Sequence, residues 1–284
     1  MNSTQRQGVI LIVLAAAGYA MLPIFAKWAY AAGLKPLDVV TWRFVFATPV
    51  IWLLTLRFSK STNHGSDQTT SETTTKLPYL KLLAMGGIFG IAAMMAFFSL
   101  DRIPASTYIV LAYLYPAFVA IFSIFNGEYL SSLGWIALGI TIFGVALTVP
   151  DFATGFSNSD PIGLLLGVLN GFGYSIYIVL SSRLLRGQTA LAQASALSIT
   201  GSLIVLLFVA LFITGLNVPP DLNTWLVIVG VAMTSSVLPI FAFYAGMQRL
   251  GAPQAAILST IEPILVVLLS TLLLGERMLP IQVV

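Results

Sequence analysis

The chain has 284 residues, 58% of them hydrophobic and only 8% charged, against about 25% charged in soluble domains, so a water-soluble globular fold is excluded. A net charge of +3 does not make it a nucleic-acid binder, because its basic residues are scattered between apolar runs and form no stripe. With no cysteine and a single histidine, His64, disulfides, thiolate chemistry and histidine metal clusters are excluded, and no Walker-type phosphate loop or dinucleotide fingerprint is present.

A helix needs roughly 20 apolar residues, at ~1.5 Å rise each, to cross the hydrocarbon core. Nine runs meet that length within a few residues, at about 8–32, 37–57, 79–100, 104–126, 132–150, 161–182, 190–214, 222–247 and 252–274. Backbone groups in lipid must pair within their own segment, and no run alternates like a barrel strand, so the runs predict helices. The first follows a short polar start, Met1 to Gln7, and is too long for a secretory signal. It is read as a retained helix. The polar stretch Ser59 to Lys76, which holds His64, Asp67 and Glu72, reads as a flexible cytoplasmic loop. Beyond Leu274, Gly275-Glu276 and the apolar Ile281 to Val284 read as a tenth helix cut off at its first turn. The expected fold is an all-α membrane protein of ten transmembrane helices, the tenth truncated.

An internal repeat supports that count. Setting Gly8 on Gly163 also superposes Leu11 on Leu166, Val13 on Val168, Leu14 on Leu169, Gly18 on Gly173 and Tyr19 on Tyr174. A second match sets Leu114-Tyr115-Pro116 on Ile261-Glu262-Pro263, and Gly127-Glu128 on Gly275-Glu276 with one residue of slippage. The expected halves are residues 1–150 and 151–284. Five spans per half make the repeat inverted, and transporters bind substrate where such repeats meet. Lys and Arg in the short flanks favour a cytoplasmic amino terminus, with Arg6, Arg57, Lys60, Lys76, Lys81, Arg183, Arg186 and Arg249 inside.

Among candidate functional residues, Glu262 is the ionisable group most clearly deep in a span, roughly 15 Å from Ala252 along the helix. A charge there costs at least ~2.5 kcal/mol unless it meets a cavity or partner. It reads either as a proton-coupling or substrate-binding carboxylate or as a group satisfying the backbone freed by Pro263. Arg43 and Lys27, toward the outer ends of the first two helices, read either as snorkelling cations or as holders of a substrate carboxylate, Arg43 being the deeper. Tyrosines away from the interfacial belt need polar partners, so Tyr19, Tyr113, Tyr115, Tyr174, Tyr177 and Tyr244 are candidates to line a pathway. Asn170, one turn before Tyr174, is a candidate for the site or for interhelical bonding. Gly163, Gly167 and Gly171, and separately Gly86 and Gly90, have the four-residue spacing of close helix contacts.

The stretch Gly18-Tyr19 to Lys27, then Gly33, Pro36 and Arg43-Phe44, and the twin stretches ending in Gly127-Glu128 and Gly275-Glu276 with Glu262-Pro263 inside, resemble the EamA family of the drug/metabolite transporter superfamily. The resemblance spans essentially the whole chain. It implies ten helices in two inverted five-helix repeats around a central cavity, both termini cytoplasmic, and export of amino acids or similar small metabolites across a bacterial inner membrane. Efflux of cationic compounds is the competing transport reading, since one deep carboxylate and many aromatics also suit a cation. An intramembrane enzyme would need paired catalytic groups, and only Glu262 is deep. A small-molecule substrate and the lipid bilayer are the expected partners, nucleic acid is not one, a monomer suffices, and no cofactor or metal is expected. Without an ATPase motif, any active transport would draw on a gradient.

Overall fold

The computed structural model describes residues 3–62, 78–124, 135–136, 139–140, 143, 160–184, 191–250, 258–259 and 261–276. Among them the ordered elements are helices: α1 Ser3–Ala31, α2 Pro36–Thr62, α3 Tyr79–Arg102, α4 Ala105–Ala112, α5 Tyr115–Ile124, α6 Pro161–Leu184, α7 Leu191–Val209, α8 Leu222–Ala232, α9 Leu238–Leu250 and α10 Ile261–Leu274. Seven stretches of the described chain are long and apolar enough to cross a membrane, and α10 is a shorter apolar helix. Of the expected fifth span, 132–150, only residues 135–136, 139–140 and 143 are described, and the beginning of a tenth lies outside the described residues.

The helix ends follow from local chemistry. Gly33 takes φ +87° after α1, and the N–H groups of Gly33 and Leu34 return to the carbonyls of Tyr30 (2.9 Å) and Ala29 (3.1 Å), a Schellman stop that favours glycine. Proline opens α2 and α6, where its missing N–H is no loss. Asp221 caps α8 by accepting from the Thr224 N–H at 2.8 Å, and this bond holds its carboxyl below the usual carboxylate range.

Two spans are interrupted near their prolines, Pro116 and Pro239. The run 104–126 breaks after Ala112, where Leu114 N–H falls back on the Leu111 carbonyl at 3.2 Å. Pro116 has no N–H to give to Ala112, so the helix restarts at Tyr115. The run 222–247 contains a π-helical turn, Met233–Val237, between α8 and α9, just before Pro239. Such wide turns recur at functional sites because they re-aim side chains and free carbonyls. A second π turn, Ala210–Thr214, ends α7. Helix α2 runs on to Thr62, into the stretch expected to be loop.

Contacts between helix ends gather the last turns of α1, α3, α7 and α10 and the first turns of α2, α4, α6 and α8 at one end of the bundle. Lys27 meets Ile103 there, Glu276 meets Ala105 and Asp38 meets Asn217. Gly86 and Gly90 on α3 lie against the backbone of Ser198 and Ser202 on α7, and Ser202 Oγ donates to the Gly86 carbonyl at 2.6 Å. Small residues let these two backbones touch. Helix α1 lies in a groove made by α9 and α10, while α3 packs between α6 and α7. Phe97 and Leu100 of α3, with Ile103 just past its end, join Val39 and Val40 of α2 in the main apolar core.

Candidate functional site

Two breaks, after Ala112 and at Met233–Val237, surround the most polar part of the interior. The break between α4 and α5 turns Tyr113 toward α10, where its hydroxyl donates to Glu262 Oε2 at 2.9 Å. Glu262 occupies the first turn of α10, where unpaired N–H groups and the positive end of the helix dipole favour a negative charge. Around this pair the rings continue: Tyr113 against Tyr115 at 5.8 Å, Tyr115 edge-on to Tyr174 at 5.1 Å, and Tyr174 stacked with Tyr177 at 6.1 Å. Phe89 of α3 closes the row against Tyr177 at 4.9 Å. Hydroxyls and ring faces beside a carboxylate are the groups that accept an organic cation or an amine.

Near this row stands Arg43, within electrostatic range of Tyr19 and Tyr108. It is 7% exposed, and its Nε donates to Ser236 Oγ at 2.7 Å and its Nη2 to the Ser235 carbonyl at 3.0 Å. Both acceptors belong to the π turn Met233–Val237, so Arg43 satisfies a carbonyl that the wide turn frees. The guanidinium also lies over the rings of Phe44 (5.4 Å) and Phe97 (5.8 Å). Tyr19 lies within electrostatic range of both Arg43 and Tyr174, and Tyr108 within range of both Arg43 and Glu262. Asn170 accepts from the Tyr108 hydroxyl at 3.2 Å and donates to the Ala92 carbonyl at 2.9 Å.

The structure thus gathers Glu262, Tyr113, Tyr115, Tyr174, Tyr177, Tyr19, Asn170 and Arg43 into one interior constellation contributed by α1, α2, α5, α6 and α10 and the break between α4 and α5. Lys27 stands apart. Its Nζ donates to the Ile103 carbonyl at 2.8 Å, at the negative end of α3, where a cation is favoured. The side chain of Tyr244 lies outside the described residues. No group of three metal-ligating side chains occurs among the described residues. An apolar groove of about 230 Å³, lined by Phe122, Phe172, Ile176, Val179 and Leu180, lies on a different face of α6 from Asn170, Tyr174 and Tyr177.

Sequence reasoning passed over several participants. Tyr108, Ser235 and Ser236 carry no signal beyond residue type, although the polar run Thr234-Ser235-Ser236 inside an apolar span is a visible irregularity. Asp38, 1% exposed, accepts from the Asn217 N–H and Nδ2, each at 2.9 Å, and Trp42 Nε1 donates to the Asn217 carbonyl at 2.9 Å. The chain between α7 and α8 is thereby tied to the first turns of α2.

An all-helical chain with seven membrane-length spans and a polar cluster inside its bundle is a polytopic membrane protein, and the comparisons give its class. Residues 6–149 and 161–284 each match the model of the EamA-like transporter family. The chain belongs to that family. It is 26% identical over 283 residues to "Uncharacterized transporter YcbK" of Bacillus subtilis, covering 98% of this chain and 88% of that protein. It is 27% identical over 281 residues to "Uncharacterized inner membrane transporter YicL" of Salmonella typhimurium, covering 97% and 89%. A crystal structure that shares 19% identity superposes with a TM-score of 0.62 over 97% of this chain and 91% of its own, a likeness of fold alone.

Proposed function

We propose that this transporter exports amino acids or similar small metabolites across an inner membrane by alternating access, using two inverted five-helix repeats, 1–150 and 151–284. The carrying observation is the Tyr113–Glu262 hydrogen bond deep among apolar helices, with a buried cation, Arg43, that shares Tyr108 as an electrostatic neighbour with Glu262. Opposite charges in one aromatic-lined interior suit a zwitterion, its amine at Glu262 and its carboxylate at Arg43. In this state Arg43 is engaged by Ser235 and Ser236, so a substrate carboxylate would have to compete for the guanidinium.

Several contacts support the repeat. Helix α1 ends and α6 begins at the same face of the bundle, and α4 begins where α10 ends, so the aligned segments run in opposite senses. Gly8 meets Arg249 and Leu250 at the end of α9, while its counterpart Gly163 meets Arg102 and Ile103 at the end of α3. Gly18 meets Pro239 of α9 and its counterpart Gly173 meets Ala92 of α3. The family model also matches the chain in two parts, one in each half.

Counterflow into proteoliposomes, screened across amino acids with and without a pH gradient, tests the reading. An amino acid should exchange, and Glu262→Gln should reduce exchange by at least about tenfold while the protein still inserts. Exchange of organic cations with no amino acid active would favour the competing reading, for which the cluster of Tyr113, Tyr115 and Tyr174 beside one carboxylate is the supporting feature.

A further inference from the structure

Glu276 follows α10 and stands outside the interior constellation, yet among the described residues it accepts three hydrogen bonds. Its Oε1 accepts from the Ala105 N–H at 2.8 Å, and its Oε2 accepts from the Ser106 N–H at 3.2 Å and Ser106 Oγ at 2.8 Å. Ala105 and Ser106 open α4, and Pro104 before them offers no capping side chain. The first N–H groups of α4 would otherwise be unpaired in an interior with little water. Their partner comes from a helix 170 residues away in sequence. Gly275, at φ +69°, turns the chain out of α10 so that the next side chain reaches α4. Lys27 is within electrostatic range of Glu276 and holds the Ile103 carbonyl, so α1 joins α3, α4 and α10 at the same point.

Helices α4 and α10 therefore meet through polar groups at two levels, Tyr113–Glu262 in the interior and Glu276 at the end, about 12 Å apart along α4. We propose that Glu276 is the latch that closes this end of the bundle: carried by the end of α10, it grips the start of α4, and the end opens when the grip is released. This rests on the alternating-access reading above and adds which contact sets the balance between the two states. Charge-assisted bonds to backbone N–H groups suit a latch, because they are strong while water is excluded and are replaced by water once the end parts. A ligand that draws Glu262 away from Tyr113 removes the inner contact and leaves the latch as the remaining polar tie between the two helices.

The test is a distance, so it needs no knowledge of the substrate and stands or falls separately from the counterflow screen. The natural chain has no cysteine, so Asp101→Cys and Leu272→Cys, at two exposed positions near the ends of α3 and α10, supply the only thiols for a pair of spin labels. In proteoliposomes the pair should report one short separation. Glu276→Ala should add a longer one, raising the open-to-closed ratio about tenfold, with a smaller rise for Ser106→Ala. Should Glu276→Ala not fold, Glu276→Gln, which keeps the volume and one acceptor, gives the same shift in weaker form. An unchanged distance distribution in a folded Glu276 variant, even one with lowered melting temperature, would show a static helix cap and overturn the latch.

Discussion

The seam between α1 and α9 and the seam between α6 and α3 solve one packing problem in opposite ways. On the second, Ser99 Oγ donates to the Gly163 carbonyl at 2.8 Å, and Gly167 leaves room beside it. On the first, Gly246 stands opposite the Gly8 carbonyl, and the space is filled by Ile12. One seam is held by a hydroxyl against a glycine, the other by a glycine against an isoleucine. The polar ties differ in the same manner. Arg43, reaching over from α2, holds the π turn beside the first seam, and Asn170, within α6, holds the straight α3 on the second. The two seams have similar contacts but unequal chemistry, and the strongest polar tie sits beside the one with a wide turn and a proline.

The largest expected effect comes from removing those ties. Arg43→Leu leaves the Ser235 carbonyl and Ser236 hydroxyl unpaired and should cost about 2–3 kcal/mol, moderated by the modest strength of such bonds in membranes. Asn170→Leu unpairs Ala92 O and the Tyr108 hydroxyl and should cost about 1–2 kcal/mol. Melting in detergent followed by tryptophan fluorescence ranks the two. Equal losses would show that the seams are chemically as well as geometrically alike.

Next come the paired glycines. A Cβ on Gly18 would stand 2.5 Å from the Thr234 carbonyl oxygen and 2.7 Å from Pro239 Cγ, whereas one on Gly173 would stand 3.1 Å from Ala92 Cβ. Gly18→Ala should destabilise by about 2 kcal/mol and Gly173→Ala by less than about 1 kcal/mol. The seam beside the π turn is the tighter one, and the same melting measurement would reveal a reversed order.

Rewriting one seam in the terms of the other is subtler. Gly246→Ser alone should be destabilising, since its Cβ would stand 2.7 Å from Ile12 Cδ1. Ile12→Ala alone should leave a void. Combined, they imitate Ser99 and Gly167, with the new hydroxyl near the Gly8 carbonyl. The double variant should be more stable than the sum of the singles by about 1 kcal/mol. Strict additivity would mean that the two seams only look alike.

Hydrophobic run length foretold the spans because desolvation of the backbone leaves a helix no alternative in lipid. Glu262 stood out for a related reason, the cost of an isolated charge in an apolar run. What run length does not encode is where a helix pauses. Pro116 and Pro239 sit at the two interruptions, but that the second is a π turn at Met233–Val237, bonded by Arg43 from another helix, is not written in run length. Lys27 shows the same limit: its position permits snorkelling, and only the fold reveals the end of α3 beside it. Glu276 was visible as half of a repeated Gly-Glu pair, yet two of its three partners, the N–H groups of Ala105 and Ser106, are backbone groups that no residue type announces. Pairwise partners across some 170 residues are a property of packing, which a single sequence does not display.

The smallest effect separates the arginines at the ends of the two seams. Arg102 pairs with Asp160 at 2.7 Å on the exposed edge of α6, while Arg249 turns back on the Ala245 carbonyl of its own helix at 2.6 Å. The hydrogen bond from Arg102, with help from the Ile162 N–H, holds the Asp160 carboxyl below the usual carboxylate range. A carboxyl depressed in the folded state adds stability that is present above its unfolded value and is lost as the pH falls through the folded one. That contribution is therefore complete at neutral pH and disappears only in acid. Solvent screens this exposed pair, so Arg102→Ala and Arg249→Ala should both leave the melting temperature within error at pH 7. They should differ in one respect: only Arg102→Ala moves the Asp160 titration upward, toward an ordinary aspartate, when followed by carboxyl NMR. A loss of stability confined to Arg102→Ala would mean that the ion pair, and not the glycine contact beneath it, fastens α6 to α3.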